Sequence, residues 1–144
     1  MIVKRIYNFI RYNKQKRLLF LIYFYLGYFR FYMIKIKKDY LEKKIGVRGG
    51  ESKYDETLEN IRLAKVIAYR VNQISTKTPW QSKCLVRALT IQKLLIDRKI
   101  NCTLYLGVGK NNDNMIAHAW IRCGECYLSG GNGEGYAIVG QYSA

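Results

Sequence analysis

The sequence predicts an α+β fold. Apolar residues recur at three-to-four spacing from Glu51 to Lys99, the pattern of two amphipathic helices. From Cys102 onward they recur at spacing two, with glycine- and asparagine-rich breaks, the pattern of a small antiparallel sheet. Helices first and strands afterwards place this part in the α+β class. The chain has 144 residues, with 12 glycines and one proline, which suits one packed domain with an appended element.

Ser52 and Asp55 predict a helix start, because Glu56 and Glu59 fall in its first turns, where the helix dipole favours acids. Leu58, Ile61, Ala64, Ala68 and Val71 then form a stripe ending near Ile74. Ser75 to Pro79 reads as a loop. Ser82 is placed to cap a second helix, with Leu85, Ala88, Leu89, Gln92 and Leu95 on its inner face and an end near Asp97–Lys99. Residues 102–108 read as a strand, 109–114 as a turn and 116–123 as a second strand. Gly124-Glu125 reads as a tight turn, 126–129 as a third strand and 136–139 as a last one. Gly107-Val-Gly-Lys110 lacks the spacing and the following helix of a phosphate loop, and reads as part of a hairpin.

Residues 1–48 have a different character and are read as a basic, aromatic-rich helical segment preceding a domain over 49–144. They hold 13 of the 25 Lys and Arg side chains, with only Asp39 and Glu42 against them. The formal net charge of the whole chain is +15, which calls for an anionic partner. Leu18 to Phe29 is an uncharged run of twelve, shorter than the roughly 20 residues a spanning helix needs. Aromatics also stand where the small residues of a signal cleavage site would be. Tyr23, Tyr25, Tyr28 and Tyr32 have apolar bodies and polar tips. The segment is therefore expected to dock a protein partner, to touch a membrane surface peripherally or to pack on the domain core, with its lysines outward. No nucleic-acid-binding motif accompanies the charge.

The chain contains one histidine, His118, so any imidazole chemistry must use it. Its four cysteines are too few for a disulfide scaffold and lack the paired spacing of a structural zinc site, so no metal or cofactor is expected. Cys123-Gly-Glu-Cys126 would oppose two thiols across a turn without the further ligands a metal needs. Free thiols fit a reducing, cytoplasmic compartment. Cys84 falls in the first turn of the second helix, where unpaired backbone N–H groups and the dipole favour an anion. His118 lies mid-strand between two alanines. A strand-borne imidazole and a helix-borne thiol are the ingredients of acyl-transfer chemistry through a thiolate.

Four blocks in order carry a resemblance: Pro79-Trp80-x-x-Lys83-Cys84-Leu85-x-Arg87-Ala88-Leu89, Leu104-x-Leu106-Gly107-Val108, Ala117-His118-Ala119-Trp120 and Leu128-x-Gly130-Gly131. Over about residues 50–140 the chain resembles the lasso-peptide maturation proteases, transglutaminase-like cysteine peptidases that remove the leader from a ribosomally made precursor. The resemblance implies a papain-like core, a Cys84–His118 pair, and three partners: the precursor's leader region, a separate leader-recognition protein and an ATP-dependent lasso cyclase. The family commonly has an aspartate about a dozen residues after the histidine, where this chain has Gly130 and Gly131. Antiparallel register puts Asn132 nearest His118 among polar side chains, so Asn132 is expected as the third catalytic member, with Glu134 and Glu125 as the available carboxylates. The Cys84 N–H and the Gln81 side chain are candidates to meet the oxyanion, and Trp80 and Trp120 to wall the cleft. Two other readings use the same residues: an acyl transferase, and a binding module of this fold without catalysis.

Overall fold

The computed structural model describes residues 1–35 and 47–144. Asp39, Glu42 and the lysines between 37 and 44 lie outside the described residues. Helices α1 (Ile2–Tyr12) and α2 (Lys14–Lys35) come first. They break at Asn13, whose side-chain oxygen accepts the N–H of Lys16 at 3.2 Å and so caps α2. Strand β1 (Val47–Arg48) is followed by α3 (Leu58–Ser75) and α4 (Cys84–Asp97). Strands β2 (Thr103–Asn111), β3 (Asn114–Cys123), β4 (Cys126–Ser129) and β5 (Ala137–Ser143) follow. The sheet is antiparallel throughout, in the order β1-β5-β2-β3-β4.

Helix α3 starts later than Ser52. Thr57 is its cap, accepting the Asn60 N–H at 3.2 Å, whereas Ser52 is buried and hydrogen-bonded to Thr103. Its buried stripe is Ala64, Ile67, Ala68, Val71 and Ser75, and Leu58 lies exposed. Ser82 does not cap α4 either: its hydroxyl bonds that of Thr78 at 3.0 Å, and Lys83 takes the cap position without a side-chain bond. Helix α4 is buried on several sides, because α2, α3 and the sheet all pack on it. The β2–β3 turn is tighter than its polar run suggested. Asn111 pairs with Asn114, and Asn112 adopts the left-handed conformation (φ 48°) that asparagine tolerates. Strand β5 runs on to Ser143 and inserts between β1 and β2, with a register shift opposite Leu106/Gly107 that its glycine-interrupted sequence conceals.

One core unites the helices with one face of the sheet. Ile22, Leu26 and Phe29 of α2 are buried in the same cluster as Ile67, Leu89, Leu94, Leu104 and Ile121. The basic amino-terminal segment thus contributes to the core through one face of α2. Leu18, Leu21, Tyr25 and Tyr28 pack partly against the same cluster. Among the described residues no helix is long and apolar enough to cross a membrane.

Candidate active site

The loop between α3 and α4 sets the position of Cys84. The Thr78 hydroxyl lies within hydrogen-bond distance of the carbonyls of Ser75 and Trp80 and of the Ser82 hydroxyl. The Trp80 ring packs edge-on against Tyr23 at 5.0 Å and lies over Gly27 of α2. A Cβ at Gly27 would come within 3.2 Å of the indole, so the absence of a side chain there admits the ring. Trp80 therefore buttresses the loop against α2. Cys84 is the first residue of α4, half-buried against the core. No side chain caps that turn, which leaves backbone N–H groups open to an anion. Gln81 is exposed.

His118 stands on β3, opposite Gly107 of β2. Ala119, Ile121 and Cys123 point into the core shared with α4, so alternation places His118, Trp120 and Arg122 on the other face of the sheet. The imidazole is half-buried and packs in a triangle of rings with Tyr136 at 4.7 Å and Trp120 at 6.0 Å. Its Nε2 lies 2.6 Å from the Gly130 carbonyl oxygen. A carbonyl only accepts, so Nε2 carries a proton, and in the neutral ring this leaves the lone pair on Nδ1.

Gly130 follows β4, where the register shifts by one residue between Ile121↔Ser129 and Arg122↔Tyr127. Gly130 has φ 80°, and a Cβ there would collide with the Ala119 carbonyl oxygen. Gly130 thus occupies a backbone that cannot carry a side chain without strain. Asn132 is exposed, and its Oδ1 accepts the Glu134 N–H at 3.0 Å, shaping the turn rather than bonding the ring. Glu134 and Glu125 are also exposed. No hydrogen bond joins Cys84 Sγ to the imidazole among the described residues; the two elements that carry them pack together through α4 and β3.

The other thiols differ from Cys84 in their surroundings. Burial pushes the Cys102 thiol up to about 12 and that of Cys123 up to about 11. Cys123 and Cys126 are paired across the Gly124-Glu125 turn as free thiols. Among the described residues no cluster of three or more His, Cys, Asp or Glu is placed to hold a metal.

A network the sequence did not reveal lies further along the His118 face. Arg122 is fully buried. It donates to the carbonyls of Gly124 (2.5 Å) and Ser52 (2.8 Å) and to the Tyr105 hydroxyl (3.0 Å), and pairs with Glu51 at 3.4 Å. The Tyr54 ring covers its guanidinium at 3.8 Å. Hydrogen bonds from Tyr105 and Tyr54 hold the Glu51 carboxyl below its ordinary value. Residues 51–54 are so fastened across the sheet, and Tyr105 stacks on Trp120 beside His118.

Comparison with known proteins adds the family. No curated protein and no solved structure matches the chain. A family model described as the transglutaminase-like superfamily matches residues 34–139, most of the chain and both Cys84 and His118. On the strength of that match over an α+β core, the chain belongs to the transglutaminase-like superfamily.

Proposed function

We propose that the protein is a cysteine peptidase that removes the leader from a lasso-peptide precursor, with Cys84 as nucleophile and His118 as base and acid. The observation that carries this reading is the only histidine of the chain, held with Nε2 on the Gly130 carbonyl, on a strand adjacent to the helix that opens with Cys84. The reaction requires the two side chains to come together, since His118 projects from the sheet face opposite the one packed on that helix. The superfamily, which includes cysteine-dependent enzymes, and the four sequence blocks support it.

The chemistry requires Nδ1 to take the Cys84 proton. The thiolate then attacks the carbonyl carbon of the leader–core bond. The oxyanion would be met by backbone N–H groups at the start of α4. Collapse of the intermediate breaks the C–N bond, and imidazolium returns the proton to the departing amine of the core peptide. Water, deprotonated by the same imidazole, releases the leader acid from the thioester. Gly130 acts in this scheme as a positioning residue, in place of a carboxylate. A separate leader-recognition protein would deliver the precursor, and an ATP-dependent cyclase would take the freed core.

The test is incubation of the purified protein with precursor and leader-recognition protein, followed by mass spectrometry. Cleavage at one bond, abolished in Cys84→Ala and reduced at least about a hundredfold in His118→Ala, supports the proposal. A folded protein that binds the leader but never cleaves it would favour the second reading, a non-catalytic module. That reading draws on the missing Sγ–imidazole hydrogen bond and the missing carboxylate. Transfer of the acyl group to an added amine in preference to water would mark an acyl transferase.

A further inference from the structure

Helix α1 is amphipathic, and the described side chains of its apolar face are not covered. Ile2, Val3, Ile6 and Tyr7 fall on one side of the helix, and Lys4, Arg5 and Arg11 flank that side. Ile2 and Val3 are 74 % and 80 % exposed, and Ile6 and Tyr7 are also exposed, although they belong to the hydrophobic side. Helix α2 continues this surface. While Ile22, Leu26 and Phe29 enter the core, Phe20, Tyr23, Phe24 and Phe31 on its outer side remain exposed. Tyr7 and Phe20 line one hollow together with Arg11 and Arg17, which joins the two helices into one patch.

The charge of the patch identifies what covers it. No Asp or Glu precedes Asp39, whereas eight Lys and Arg side chains stand between Lys4 and Lys35. A protein partner would need a complementary acidic and apolar groove. An anionic bilayer surface offers apolar depth and negative charge together, and accepts an aromatic-rich face at headgroup level. Neither helix meets the requirement for spanning, which leaves a lie along the surface. We infer that α1 and the outer side of α2 seat the protein on an anionic phospholipid surface, apolar side down, with cations flanking it toward the headgroups.

This does not depend on the peptidase reading. The full chain is floated with phosphatidylglycerol/phosphatidylcholine vesicles and with pure phosphatidylcholine vesicles, at low and high salt. It should bind the anionic vesicles and release as salt rises. Each cation removed, as in Lys4→Gln and Arg5→Gln, should weaken binding by about fivefold. Ile2→Asp with Ile6→Asp should abolish it, while iodoacetamide labelling of Cys84 stays unchanged, since both side chains are exposed. Val66→Asp with Tyr69→Asp, on the exposed side of α3, should leave binding intact. Failure to bind anionic vesicles overturns the inference, as does equal binding to neutral ones or equal loss in the α3 variant. So would α1 variants that impair precursor processing in lipid-free solution while vesicle binding is absent, the mark of a protein-docking surface.

Discussion

The Nε2 of His118 and the carbonyl oxygen of Gly130 are 2.6 Å apart, which makes a peptide group the partner of the chain's only imidazole. A peptide carbonyl orients the ring as a carboxylate does, but brings no net charge to balance an imidazolium. Nitrogen-15 NMR of the neutral ring should show the proton on Nε2. A ring protonated at Nδ1 would remove the assigned base atom.

Asn132→Ala should retain most leader cleavage, because its amide supports only the local turn. Gly130→Ala should lose about 1–3 kcal/mol of stability from the left-handed backbone and the collision with Ala119. The pH–rate profile of its folded fraction should shift, because the collision displaces the carbonyl that accepts from the ring. Urea titration and the rate profile read the two effects separately. An Asn132 variant as impaired as Gly130→Ala would return the orienting role to the amide.

Iodoacetamide at neutral pH should label Cys84 and leave Cys102 and Cys123 silent until the chain unfolds. Those two thiols are buried and titrate only near 12 and 11, respectively. Peptide mapping before and after denaturation checks this, and labelling of Cys102 in the native protein would contradict the packing of β2.

Glu51 gives a pH dependence of definite sign. Its folded value lies below the ordinary 4.5, so its contribution is fully present above that value. The contribution is lost as pH falls through the folded value. Melting temperature should decline in that acidic window, and Glu51→Gln should flatten the decline.

Arg122→Met should cost about 1–3 kcal/mol for each buried carbonyl it strands, those of Gly124 and Ser52. Chemical denaturation measures it. A change below about 1 kcal/mol would mean that the network contributes little.

Cys84 at the head of a helix, His118 on a strand and the Cys123–Cys126 hairpin were legible because each depends on neighbours within a few residues. Arg122 was not: its partner Glu51 lies 71 residues away, and no local pattern marks a strand arginine as buried. The acceptor for His118 was hidden for another reason. A side-chain acceptor is announced by its residue type, whereas every residue has a carbonyl, and only the register of β4 selects that of Gly130. The helix start at Thr57 was missed because Ser52 offers the same chemistry five residues earlier, and only the sheet draws its hydroxyl away.

The strand order has a consequence for how the protein is made. Of the five strands among the described residues, β5 leaves the ribosome after the others, yet it lies between β1 and β2. The β2–β3–β4 meander can form before β5 is made, but the strand that joins it to β1 arrives only afterwards. Until then β2 presents an open hydrogen-bonding edge, and the nascent chain must be shielded or fast if it is not to pair with another copy of itself.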